Sequence, residues 1–302
     1  MGTALWGWGV ERAQAFALMD RFASLGGRIV DTASNYPINK CPQDYGRALA
    51  WIAEWQAANA DAGLSVLVKV GGVRNDGSPE TDLSPGTIQR LADQLQGQLN
   101  GALGALSIHW DNRGDTAADH EGIAQTVEVM SRLHAQGLSI GLSGIRHPHL
   151  YRQAAPALAD QWWIQVKENM RTRQARLAYE THFPHARYLA YGINMGGFKL
   201  ERASGQSSLA LRGIHIEETL GDWLAQVIHQ EGALRPAPET INDLALLTAC
   251  LNPRLYGVIV GPRNVEQLVD SMAFCRRVQA ESDAQTVAEL VRLGLLRDDA
   301  AL

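Results

Sequence analysis

Several residues able to do chemistry stand at the ends of short apolar runs. Asp31 closes Ile29-Val30-Asp31, Tyr36 follows it by five residues, Lys69 lies within Val66-Leu67-Val68-Lys69-Val70, and His109 closes Leu106-Ser107-Ile108-His109. Taken singly, each has an ordinary explanation: a strand-end Asp can cap the next turn, a loop Tyr can pack, and a His can be a hydrogen-bonded core residue. Lys69 is harder to dismiss, because an ammonium group among valines is rarely buried without a partner. As a set the four are coherent. A phenol has an ordinary pKa of about 10, so as a proton donor near neutral pH it benefits from a cation that favours its phenolate form. Lys69 can supply that cation, and a carboxylate such as Asp31 would keep the desolvated amine charged. His109 would then position or polarise a substrate oxygen. This is machinery for passing a proton to or from an oxygen on a carbonyl carbon. It contains no hydride donor, so a cofactor is expected.

A place for one can be read near the end of the chain. Tyr256-Gly257-Val258-Ile259-Val260 runs into Gly261-Pro262-Arg263-Asn264-Val265-Glu266-Gln267. A strand, a glycine turn and a helix start aim free backbone N–H groups and the helix dipole at an anion. The same segment also reads as a capped helix with a solvated arginine.

These residues must be positioned by regular elements, and the rhythm of the sequence supplies them. Short β-branched or apolar runs alternate with segments of helical period, as in a parallel sheet with crossover helices. Eight strands are expected, near Thr3–Leu5, Arg28–Asp31, Val66–Val70, Leu106–His109, Ile140–Ser143, Trp163–Val166, Tyr188–Tyr191 and Gly257–Val260. Helices are expected over Glu11–Leu25, Asp44–Ala58, Ser84–Leu103, Glu121–Ala135 and Asp243–Leu251, punctuated by Gly26-Gly27, Ser84-Pro85, Gly137 and Gly261-Pro262. The reading is an α/β chain folded as one (β/α)8 TIM barrel, a single domain over 1–302. It has a long connection from Gly192 to Glu239 after the seventh strand and an extra C-terminal helix. An open doubly wound sheet would carry GxGxxG in its first turn, and none occurs there.

Composition narrows the partners. The 302 residues are 46% hydrophobic and 20% charged, with net charge -5 and no basic run. Nucleic acid and anionic membrane are therefore not expected partners. No stretch stays apolar for the ~18 residues that cross a bilayer. Cys41, Cys250 and Cys275 are odd in number and lack CxxC spacing, which fits a reducing compartment, and the cytoplasm is the expected location. His147, His149, His182 and His185 read as surface histidines, and no metal is expected.

The chain resembles the aldo-keto reductases. Gly2-Thr3-Ala4-Leu5-Trp6-Gly7 is similar to the family's first strand and turn, and Asp31-Thr32-Ala33-Ser34-Asn35-Tyr36 to its Asp-Thr-Ala-x-x-Tyr segment. Lys69 and His109-Trp110 fall where the family places its lysine and histidine. Gly141-Leu142-Ser143, Ile164-Gln165-Val166, Ala190-Tyr191 and Asn194-Met195-Gly196-Gly197 resemble its cofactor side. Gly144 stands where an asparagine is usual, Gly192 where a serine is, and Asp270-Ser271 where the pair Glu-Asn is common. The resemblance implies hydride delivery by NADPH, with NAD possible, while Tyr36 protonates the carbonyl oxygen. Lys69 and Asp31 tune the tyrosine, and His109 orients the substrate. It further implies that Gly2, Thr3, Asp31, Ser143, Gln165, Tyr191, Gly192, Gly261, Arg263, Gln267 and Ser271 serve the cofactor, Arg263 and Gln267 at the 2′-phosphate. Trp6, Trp110, Met195 and Phe198 would line an apolar pocket for a small carbonyl or alcohol. Two rivals stay open: an NADPH-binding redox-sensing or regulatory subunit with little turnover, and a barrel using Lys69 as a Schiff-base nucleophile. The oligomeric state is not specified by the sequence.

Overall fold

A computed structural model describes residues 1–73, 81–196, 218–230 and 233–296. By contact the chain divides into two compact units, one drawn from Met1–Val166, Arg176–Tyr188 and Gly261–Leu268, the other from Lys167–Ala175, Leu189–Val260 and Val269–Leu302.

The first unit begins with α1 (Arg12–Ser24) and β1 (Ile29–Ala33) and continues through α2 (Arg47–Ala58), β2 (Ser65–Val70), α3 (Pro85–Gln98), β3 (Leu103–His109), α4 (Ala117–Ala135), β4 (Ser139–Ser143), α5 (Pro148–Ala154) and β5 (Trp163–Lys167). Strand order follows chain order, as successive βα crossovers produce, and each of these strands pairs in parallel with the next. Parallel strands covered on both faces read as unbroken apolar runs. Val66, Val68, Val70, Leu106, Ile108, Ile140, Leu142 and Ile164 are accordingly all fully buried.

Register explains why polar residues gather on one face. Asp31 is level with Leu67, Lys69 with Ser107, and His109 with Ser143, which is level in turn with Gln165. Side chains alternate along a strand, so Asp31, Lys69, His109, Ser143 and Gln165 all point to the same side. β1 and β5 are separated by three strands, yet Gln165 Nε2 donates to Asp31 Oδ1 at 2.5 Å. The strands of this unit therefore curl around a shared interior.

The expected first strand, Thr3–Leu5, does not form. Gly2 makes one isolated bridge to Asp31, and the chain then turns, with Trp6 N–H on Thr3 O and Trp8 N–H on Leu5 O. Gly7 completes the turn at φ +91°. Seven strands are thus present among the described residues. Helix limits also shift for local reasons. α2 starts at Arg47 because Pro42–Asp44 makes a 3-10 turn and Gly46 sits at φ +77°. α3 stops at Gln98, before Leu103 starts β3, and α4 begins at Ala117 under a reciprocal Thr116–Asp119 cap.

The second unit contains α7 (Glu218–His229), α8 (Ile241–Cys250) and β7 (Gly257–Ile259), with α10 (Ala284–Arg292) after them. β5 at its last residue, Lys167, and α6 (Gln174–Glu180), β6 (Arg187–Tyr191) and α9 (Val265–Glu281) each contribute residues to both units. β6 pairs with β7 in parallel. The core of this unit gathers Leu224, Leu244, Leu246, Leu247, Phe274 and Leu290. Among the described residues no helix is long and apolar enough to cross a membrane.

Candidate active site

The first unit brings the four chemistry-bearing residues together. Asp31 is in β1, Lys69 in β2, His109 ends β3, and Tyr36 lies in the loop after β1; all four are buried. Lys69 Nζ donates to Asp31 Oδ1 at 2.5 Å, in a pair with side-chain exposures of only 3% and 9%. Such burial is tolerable only when each charge is matched and further bonded, and Gln165 supplies the second donor to the same oxygen. The ammonium also lies 5.0 Å from the centroid of the Tyr36 ring. The rings of Tyr36 and His109 meet edge to face at 6.2 Å. Burial first, and the Lys69 charge second, hold the His109 pKa well below the usual imidazole value, so the ring is neutral. Thr3 supports the group from the N-terminal segment, its hydroxyl donating to Asp31 O at 2.9 Å.

Trp110 is placed by its backbone and by a glycine. It adopts φ +58°, with its N–H on Ser143 O at 2.9 Å, and its indole stacks on His109 at 4.4 Å. A Cβ at Gly144 would come within 2.4 Å of Trp110 Cδ1. Gly144, read from the sequence only as a missing asparagine, is therefore the gap that the indole fills. Behind it, Asp111 accepts from Arg113 and from the Tyr151 hydroxyl at 2.7 Å, which anchors the turn. Trp6 is fully buried.

Around Gly261, Arg263 and Gln267 the chain caps itself. The Gln267 side chain accepts from Arg263 N–H, Asn264 accepts from Gln267 N–H, and Arg263 Nε donates to Gly9 O at 3.2 Å. In the second unit Tyr191 ends β6 with 38% of its surface exposed. Gly192 at φ +66° accepts from Asn169 Nδ2 and from Met195 N–H. Ser271 is buried and accepts from Asn242 Nδ2 at 3.2 Å. Phe198 lies outside the described residues.

Sequence reasoning missed the direct Gln165–Asp31 contact, the Gly144–Trp110 fit, the Asp111–Arg113–Tyr151 group and Asn242. Alternation along β5 puts Gln165 on the Asp31 face, so that contact had a signal; the Gly144–Trp110 fit and the Asp111–Arg113–Tyr151 group arise around loop residues, and Asn242 from the packing of α8 on α9, and these had none. His147, His149 and His182 converge, with neighbouring ring centroids 5.7 Å apart. No group of three or more His, Cys, Asp or Glu among the described residues is arranged to hold a metal ion.

The sequence model of the Aldo/keto reductase family matches residues 1–192. A search of curated proteins finds no match. Among solved structures the chain is similar to an aldo-keto reductase from Bacillus halodurans in its holo form, at 16% identity and TM-score 0.65 over 94% of this chain and 91% of that one. It is also similar to a protein of Pseudomonas aeruginosa described as an aldo-keto reductase, at 19% identity and TM-score 0.61 over 92% and 90% of the two chains. These likenesses show the (β/α)8-barrel fold.

Proposed function

This chain belongs to the aldo/keto reductase family, and from that premise we propose that it reduces an aldehyde or ketone to the alcohol, or runs the reverse, using NADPH with Tyr36 as general acid/base. The observation that carries the reading is a buried ammonium, Lys69, 2.5 Å from Asp31 and 5.0 Å from the Tyr36 ring, in a group that includes a neutral His109.

The residues suit a nicotinamide nucleotide. Buried Gln165 Oε1 has no hydrogen-bond partner among the described residues and can accept from a carboxamide N–H. Ser143 stands level with it in the neighbouring strand. Gly2, Thr3 and Gly261 complete the proposed cofactor set within this unit, and Arg263 with Gln267 favours NADP over NAD. When bound, the reduced nicotinamide supplies the hydride.

The protein's own part is proton management. Tyr36 gives its phenolic proton to the carbonyl oxygen, and the Lys69 ammonium stabilises the charge left on the phenolate. Asp31 balances the charge of that ammonium, and Gln165 helps fix the carboxylate. His109, neutral, donates a hydrogen bond to the same oxygen without competing as an acid. Trp6 and Trp110 would face a small apolar carbonyl or alcohol.

Fluorescence titration with NADPH and NADH, followed by turnover on a panel of carbonyls and polyols, tests this. Tyr36→Phe should bind NADPH within a few-fold of wild type and lose roughly a hundred-fold or more in kcat. Unchanged turnover in that variant would remove Tyr36 from the acid role. Tight NADPH binding without turnover of any substrate by the wild-type protein would instead indicate a regulatory subunit.

A further inference from the structure

Two of the three cysteines, absent from the site above, are brought together by the second unit. Cys250 is the last residue of α8 and Cys275 lies within α9; their Sγ atoms are 3.9 Å apart across 25 residues of sequence. Both are free thiols, Cys250 exposed and Cys275 partly so. The third, Cys41, belongs to the other unit and bonds to Gln43 Oε1. We propose that Cys250 and Cys275 are a redox modification site, closed to an intramolecular disulfide by peroxide and reopened by thiols.

The contact is close to what the bond requires. A disulfide needs its sulfurs at about 2 Å, and side-chain rotation covers much of the difference when one cysteine ends a helix. Cys250 is at such an end, followed by the turn in which Asn252 N–H reaches Ala249 O. The two helices already touch at a second point, Asn242 on Ser271, so the new bond would fasten an existing contact. The hydrogen bond between the sulfurs favours the thiolate of whichever cysteine accepts it, and that thiolate is the entering nucleophile.

The chemistry balances with hydrogen peroxide as oxidant. That thiolate attacks one peroxide oxygen, the O–O bond breaks, and the departing hydroxide takes up a proton as water, leaving a sulfenic acid. The partner sulfur then attacks the sulfenic sulfur, the S–O bond breaks, the thiol proton leaves with the oxygen, and a second water forms. Two thiols are oxidised to one disulfide and one peroxide is reduced to two waters.

The test counts thiols in the full-length protein. The sequence has three cysteines, so treatment with hydrogen peroxide should lower the thiol titre of the denatured protein from three to one. Peptide mass spectrometry should find Cys250 linked to Cys275 within a monomer, and dithiothreitol should restore the titre. Cys250→Ser should yield no intramolecular link and leave a Cys275 sulfenic acid that dimedone traps, whereas Cys41→Ser should still form the bond. Three reactive thiols after treatment, or a bond that involves Cys41 or joins two molecules, would overturn the proposal. So would a monomeric cross-link that persists in Cys250→Ser.

Discussion

At the scale of single residues, the site depends on one buried charge pair. Replacing one member of such a pair leaves the other uncompensated. Lys69→Met should therefore cost roughly 3–5 kcal/mol of stability, read by urea denaturation, as well as abolishing turnover. Asp31→Asn in the same chain should recover part of that loss, because the two substitutions are coupled; strictly additive losses would mean the pair does not interact as drawn. His109 gives a pH signature. Its pKa when folded is well below the unfolded value, so the unfolded chain takes up a proton first as pH falls past about 6.5. The stability due to the neutral ring is intact above that pH and declines below it, by about 1.4 kcal/mol per pH unit until the folded pKa is reached. His109→Asn should remove this component of the slope, and identical pH dependence in the two proteins would show that the ring is not held neutral by burial. The four chemistry-bearing residues were legible because their types are costly to bury without a purpose. Gly144 was not, since a space matters only once the indole that fills it has been placed.

At the scale of elements, the order of strands and helices was legible from hydrophobic period and from punctuation. Gly26 and Gly137 do take positive φ after α1 and α4, and Pro85 does open α3. Thr3–Leu5 misled because three residues carry too little period to separate a strand from a turn. Helix starts misled where a cap lies upstream of the first periodic residue, as Thr116 does for α4. Such caps contribute measurably. In α8, Thr240 Oγ1 accepts from Asp243 N–H and Asp243 Oδ2 from Thr240 N–H. Thr240→Ala should destabilise by about 1 kcal/mol with kcat unchanged in an active preparation; no change in the denaturation midpoint would show that the cap is dispensable.

For the molecule as a whole, the fold class could be read from the alternation of strands and helices and the face of Gln165 from the period of β5, but which residue it would reach inside the first unit could not, because curling is a sum of many small twists. The Gln165–Asp31 contact joins residues 134 apart in sequence, which has a kinetic consequence. Asp31 and Lys69 are 38 residues apart and can meet early, whereas Gln165 arrives only after the intervening βα units have collapsed behind them, a late and entropically costly event. Gln165→Ala should accordingly refold at the wild-type rate and unfold faster; slowed refolding would place the contact in the nucleus instead. During synthesis the charged pair should thus lack its third partner until residue 165 has emerged from the ribosome.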